Sequence, residues 1–484
     1  MTVASTGAPG TPRPGAGPSP TRILAVLCLA QLMFGIDVTI VQVANPTIER
    51  ALGFSAESLQ WTVTAYALTF GGFLLLGGRL ADLYGRRRVF ALGMLGFAAA
   101  SAGAGAAVDP TMLVLCRAGQ GLGAAMVSPA VLGLLAQTFP EGAGRQRAYG
   151  LWASAISTGG ITGYIVGGIL IGVTGWRGIF YINVPVCLAA AYLATRMFPT
   201  ASERKRTRLD LPGAVTVTTG IALVIFGLGQ AESRGWAAAT TIACLALAAA
   251  FIAAFVFVER TAPEPLLPLA LLRRRQTVAN LLAVLQSTSM GSSVFLNCLY
   301  LQQVYGYSPV ATGLAVTPLS LALIVASNVS SRALGRVGPR VLSPLGLLCI
   351  SAGILWLSRI GDSGSYATTY LPAVIAEGFG LGLGIVPLVN TATSGVTSEH
   401  QGLIGGMYNM SQQLGSALGI ATLVTVVAAG TAAAHVGGVP AEAVGIRLGY
   451  RVGTFVALGG ALIAALALPR RVASVPPVPE PALA

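Results

Sequence analysis

Charge is what this chain has least of. Asp, Glu, Lys and Arg make up 9% of its 484 residues and 54% are hydrophobic, at a mean hydropathy of +0.75. That balance excludes a soluble globular domain and a disordered chain, and it implies a multi-pass membrane protein. Histidine is confined to His400 and His435, with no ligands at metal-binding spacing, so no metal site is expected. The six cysteines (Cys28, Cys116, Cys187, Cys244, Cys298 and Cys349) stand singly in apolar segments, which excludes a disulfide framework. No phosphate-binding loop or ATP-binding motif occurs, so nothing in the sequence points to ATP-driven chemistry. Nor is there a soluble insertion or a His, Cys or acid constellation of the kind an enzyme or receptor would need. Lysine is almost missing: Lys205 is the only one beside 28 arginines. With the abundance of Ala and Gly, this looks like translation from a GC-rich bacterial genome.

What the chain does have is fourteen apolar runs long enough to cross a hydrocarbon core of ~30 Å as helices. They lie near 23–44, 58–78, 89–108, 112–137, 149–172, 179–198, 212–230, 237–258, 277–300, 309–330, 341–358, 367–389, 403–429 and 449–468. The expected fold is therefore all-α and integral to the membrane. With both termini on one side, 22 of the 29 basic residues fall in the tails and alternate loops of that side, six fall opposite, and Arg117 lies inside the fourth segment. By the positive-inside rule the arginine-rich side is cytoplasmic. The basic balance is then topology and lipid contact, and no nucleic acid partner is expected. Residues 1–21 and 470–484 read as disordered cytoplasmic tails, and the first segment is its own insertion signal.

Polar residues inside such segments are costly and so informative. Asp37 sits within the first run, where an acid costs roughly 2.5–3.5 kcal/mol to insert unless it is paired or wet. It reads either as a structural acid held by an arginine or as a proton site whose access to water changes. Arg117, Gln120 and Gly121 share one face of the fourth segment, and a buried guanidinium needs a partner. Glu377 lies in the middle of the twelfth segment and is the only other acid placed well inside. It can bind a proton or a cation, or anchor a glycine-rich packing face. Gln286, Ser289, Ser293 and Asn297 form a polar stripe on the ninth segment that lines a path or bridges helices.

One short pattern occurs twice. Arg79, Gly85 and Arg87 between the second and third segments match Arg332, Gly338 and Arg340 between the tenth and eleventh. The offset fits two six-helix halves, 22–198 and 259–469, separated by a linker at 199–211 and two inserted helices at 212–258.

The run GRLADLYGRRR at 78–88 resembles the loop motif of the major facilitator superfamily. FGIDVTIVQVANPTI, QWTVTAY, GWRGIFYINVP, DLPGA and YLQQVYGYSPVATGL are similar to segments of its fourteen-helix drug:proton antiporters. The resemblance covers roughly residues 23–468 and implies the major facilitator fold with 14 transmembrane helices. It further implies export of an amphipathic drug, antibiotic or secondary metabolite in exchange for protons, by a monomer in the bacterial plasma membrane that uses no cofactor. A proton-coupled symporter or importer on the same fold is the alternative. In the superfamily the first and fourth helices of each half line the central cavity, so Asp37, Arg117 and Glu377 are expected there as the proton-coupling set. Met33, Phe34, Tyr66, Gln120, Gln286, Ser289, Ser293 and Asn297 would line the substrate cavity. Gly78, Asp82, Gly85, Arg86 and Arg87 would form a conformational latch, the alternative being a plain solvated loop. The antiporter motif of the fifth helix is met by Gly159, Gly163, Gly167 and Gly168, but Tyr164 stands where the family has a bend-inducing proline.

Overall fold

Prolines and short polar side chains fix where the helices start. Asp109 accepts from the Met112 amide, Asp210 from Gly213 and Ser308 from Ala311, each just before a Pro-led first turn. Such caps satisfy amide donors that a membrane would otherwise leave unpaired. The computed structural model describes residues 19–54, 59, 61–198, 210–263, 265–359, 365–396, 400–434 and 439–470. Most of the two expected tails, the 199–209 linker and His435 lie outside the described residues, as do the side chains of Tyr164 and Cys298.

All regular structure among the described residues is helical. In the first half of the chain α1 (Pro20–Leu52), α2 (Trp61–Tyr84), α3 (Arg86–Gly105), α4 (Pro110–Thr138), α5 (Ala143–Thr174) and α6 (Asn183–Met197) follow in order, α6 being entered through one turn at Gly178–Tyr181. Next come α7 (Leu211–Arg234) and α8 (Ala239–Thr261). The second half holds α9 (Arg274–Leu299), α10 (Pro309–Val337), α11 (Pro339–Leu357), α12 (Leu371–Thr393), α13 (Gln401–Ala432) and α14 (Val439–Ala467).

Every apolar run read from the sequence coincides with one of these helices, yet not all pass as spans on length and apolarity. Twelve do among the described residues, and α5 makes a thirteenth when its two limbs, Ala143–Gly160 and Ile165–Thr174, are taken as one span bent by 45°. The remaining helix, α9, falls short because of its polar side chains. Gln276, Asn280, Gln286, Ser289, Ser293 and Asn297 are all buried, so their polarity is turned toward protein and not toward lipid.

The two sets of six helices pair alike. Helix α1 packs on α5 and α6, α2 on α4, and α3 on α4 and α6; correspondingly α9 packs on α13 and α14, α10 on α12, and α11 on α12 and α14. The sets meet through α2 with α13 and α5 with α10, and α7 leans on α2 and α13 while carrying α8 outside. The repeated Arg, Gly, Arg pattern has a geometric counterpart. Gly85 and Gly338 both take left-handed backbone, φ 92° and 82°, at the turn between two helices, a conformation that disfavours any side chain. Arg87 then donates to the Thr195 and Phe198 carbonyls at the end of α6, and Arg340 to the Ala465 carbonyl at the end of α14.

The bend in α5 arises without proline. Gly159 and Gly163 lie against α1, where a Cβ on Gly159 would come within 3.0 Å of the Gly35 Cα and one on Gly163 within 2.7 Å of the Ile36 carbonyl. A glycine-rich stretch is enough to bend a helix around its neighbour. Gly167 abuts Ile40 in the same way, and Gly168 is half-buried.

Candidate functional site

Each set of six helices encloses one fully buried acid. Asp37 of α1 accepts from Arg117 Nη1 at 2.6 Å through Oδ2, and from Asn183 Nδ2 at 2.7 Å and Gln120 Nε2 at 3.1 Å through Oδ1. The guanidinium is held as firmly as the acid. Arg117 Nε donates to the Thr62 carbonyl at 2.7 Å, Nη1 also to Gln120 Oε1 at 2.7 Å, and the group lies 4.7 Å from the centre of the Tyr66 ring. Gln120 closes the set by donating to Ser101 Oγ at 2.7 Å. Four helices and Asn183 at the start of α6 thus converge on one ion pair in which both carboxylate oxygens and the guanidinium Nε and Nη1 are hydrogen-bonded, the kind of pairing that makes a buried charge tolerable.

The second acid has no such counter-charge. Glu377 of α12 accepts from Ser293 Oγ at 2.7 Å and Asn297 Nδ2 at 3.2 Å, both on α9, while Tyr450 of α14 donates to Asn297 Oδ1 at 2.7 Å. No arginine or histidine forms an ion pair with it among the described residues. The donors differ in kind as well as in charge. Asp37 is met by a guanidinium N–H, which can only donate, and by two side-chain amides turned to present their N–H groups. Ser293, in contrast, carries a hydroxyl that can turn from donor to acceptor, so the Glu377 site accommodates the acid with or without its proton.

A third constellation joins the two halves at the arginine-rich end. Asp82, near the end of α2, accepts from the backbone amides of Gly402 at 3.2 Å and Leu403 at 2.9 Å, in the first turn of α13. An acid at a helix N-terminus meets unpaired amides and the positive end of the dipole. Arg86 Nη2 donates to the same Asp82 at 3.2 Å and Arg86 Nη1 to the Gly133 carbonyl at 2.8 Å, tying α3 and α4 to the contact. Glycine lets the backbones meet: a Cβ on Gly78 would sit 2.7 Å from the Gly402 carbonyl oxygen. The position that the repeat aligns with Asp82 is Gly335, so the α10 and α5 contact has no equivalent acid.

The sequence-derived residues sort unevenly onto this geometry. Asp37, Arg117 and Gln120 come together, and so do Glu377, Ser293 and Asn297. Gln286 is buried with neither amide atom partnered, and Ser289 donates to its own helix at Leu285. Met33 and Phe34, expected in the cavity, instead pack inside the first half: Met33 Sδ meets Cys187 Sγ of α6 at 3.2 Å and the Phe34 ring lies 5.0 Å from Phe97 of α3. Apolar neighbours of Asp37 share its helix but not its partner. Tyr66 serves the arginine as a ring face, being 5% exposed. Sequence reasoning missed Thr62, Ser101, Asn183 and Tyr450. Asn183 lies in the GWRGIFYINVP run, where it was part of a likeness and not singled out; Tyr450 carried no signal beyond being an aromatic residue in an apolar helix.

Comparison with known proteins adds a family context. The sequence profile described as Major Facilitator Superfamily matches residues 27–420. The chain is 40% identical over 461 residues to "Puromycin resistance protein pur8" of Streptomyces alboniger, covering 93% of this chain and 91% of that protein. It is 35% identical over 441 residues to "Cephamycin export protein CmcT" of Amycolatopsis lactamdurans, covering 90% of each. The solved structure of the proton:xylose symporter XylE matches with a TM-score of 0.66 at 14% identity, over 92% of this chain and 94% of that one, a likeness of fold alone.

Proposed function

The chain belongs to the major facilitator superfamily, and from that premise we propose that it is a proton-coupled efflux transporter, moving amphipathic antibiotic-like molecules out of a bacterial cell. The observation that carries the reading is near-full-length similarity to proteins named for puromycin resistance and cephamycin export. Its many apolar helices make it a membrane protein. We take all fourteen long helices as spans, α9 included. The two six-helix sets become the halves that rock about a central site, α7 and α8 an inserted pair, the arginine-rich end the cytoplasmic one, and the protein a monomer in the plasma membrane.

The geometry supports a division of labour between the acids. Glu377 takes the exchanged proton, because its site holds the carboxyl in either state. Asp37 and Arg117 act as one unit whose opening accompanies the change between inward and outward access, since the pair ties α1 to α4 and cannot separate without a new partner for each charge. The contact of Asp82 with α13 closes the cytoplasmic end, and opening toward the cytoplasm has to break it. Substrate and proton then compete: binding of one disfavours the other, so the proton gradient drives substrate outward. Gln286, with its unpartnered amide, is the residue of the polar stripe assigned to the substrate.

The test has two steps. A drug-panel resistance assay in a pump-deficient bacterium identifies exported compounds, and proteoliposomes with an imposed pH gradient show whether transport follows the gradient. Resistance with gradient-independent flux would remove proton coupling; gradient-driven uptake in the direction of the protons would make the protein a symporter.

A further inference from the structure

The arginine-rich end of the second half carries a cleft that the transport cycle does not use. It has a volume of about 470 Å³ and is lined by Arg336 and Val337 at the end of α10, Arg340 and Val341 at the start of α11, and Ala465 and Arg470 at and beyond the end of α14. Three guanidiniums share this space and no acid lines it. Like charges held together repel, so the arrangement favours an anion between them. Arg340 anchors the wall by donating through Nε to the Ala465 carbonyl at 2.7 Å, and among the described residues it makes no other hydrogen bond, leaving its two terminal amino groups for a ligand.

The repeat shows that this cluster is not a by-product of a shared fold. Arg87, which matches Arg340, uses its amino groups on the Thr195 and Phe198 carbonyls, and the residue matching Arg336 is Leu83. The first half therefore lacks the second arginine and has committed the first.

What kind of anion fits follows from the walls. Below the cleft, Val341, Leu345 and Leu348 of α11 and Leu462 and Leu466 of α14 are all exposed, forming two apolar strips that lead from the arginines along the lipid-facing surface. A free phosphate would use the arginines and leave the strips unexplained. We propose that the cleft binds the headgroup of an anionic phospholipid, with the phosphate on Arg336, Arg340 and Arg470 and the acyl chains along those strips. Planar guanidinium forks match phosphate oxygens in pairs, and the cleft stands at the helix ends, where headgroups lie. A lipid seated there bridges the α10 to α11 turn and the end of α14.

The test uses the purified full-length protein in detergent, adding phosphatidylglycerol, phosphatidylcholine or inorganic phosphate. Thermal melting and native mass spectrometry read the binding. Phosphatidylglycerol is expected to raise the melting temperature and to persist as bound lipid, while phosphatidylcholine and phosphate do neither. Arg336→Gln with Arg470→Gln, which spares the Arg340 to Ala465 bond, should weaken phosphatidylglycerol binding by about 25-fold, on the basis of about fivefold per surface arginine. Arg332→Gln, one turn earlier on α10 and outside the cleft, should leave it unchanged. Equal responses to the two lipids, an equal response to phosphate alone, or equal losses from Arg332→Gln and the double variant would each overturn the proposal.

Discussion

The two halves of this molecule solve the same problem, an acid inside a membrane bundle, in opposite ways. The first surrounds Asp37 with an arginine, two amides and a ring, so that charge is cancelled and both carboxylate oxygens accept N–H donors. The second gives Glu377 a hydroxyl and one amide and no cation. Equal depth and equal burial do not make equal chemistry. An ion pair is hard to open and costly to break on one side only, whereas a carboxyl among neutral groups can gain or lose a proton with a small rearrangement. The proposed division of labour rests on this difference, with coupling of shape in the first half and exchange of the proton in the second.

Breaking the ion pair is the sharpest way to test that contrast. Asp37→Asn leaves Arg117 buried without its counter-charge, which costs about 3–5 kcal/mol. Gradient-driven export should vanish and the melting temperature should drop, as read by proteoliposome flux and size-exclusion thermal stability. Export at the wild-type rate would remove Asp37 from the cycle. Arg117→Lys should come close behind. An ammonium keeps the charge but cannot hold the Thr62 carbonyl, Gln120 and Asp37 in one plane. Full export by this variant would mean that charge alone is needed.

The latch is expected to matter less. Asp82→Asn removes a negative charge from the first turn of α13, worth roughly 0.3–1 kcal/mol, and should shift the protein toward cytoplasm-open forms. Labelling of a cysteine placed behind Leu403 should rise severalfold, and unchanged labelling would make Asp82 a surface residue only. Smallest in stability is Glu377→Gln, because the amide oxygen can accept from Asn297 while the Ser293 hydroxyl turns to accept from the amide N–H. We expect a melting temperature close to wild type, together with loss of gradient-driven export for cationic and neutral compounds alike, because the amide carries no exchangeable carboxyl proton. Export at the wild-type rate would leave Glu377 as a packing anchor.

The sequence displayed the helices well and their partners poorly. All fourteen runs correspond to helices, since hydrophobic length is a property of each segment by itself. Pairing is not: the resemblance implied a place in the cavity for Met33 and Phe34, yet these two side chains pack toward α6 and α3. The stripe of α9 was legible as a stripe, but only the fold shows that Ser293 and Asn297 belong to Glu377 and that Gln286 stands apart. Asn183 completes the Asp37 site from a helix whose own pattern gives no reason to single it out. Proline was a poor guide in α5, where glycines against α1 accompany the bend.

One measurement addresses the central contrast without any substrate. Infrared difference spectra of the purified protein, recorded as pH is changed, report the carbonyl band of a buried protonated carboxyl. The account predicts that wild type shows a titrating band, that Glu377→Gln abolishes it, and that a conservative change at the first site that keeps the fold leaves it in place. A band that persists unchanged in Glu377→Gln would contradict the assignment of the exchanged proton to the second half.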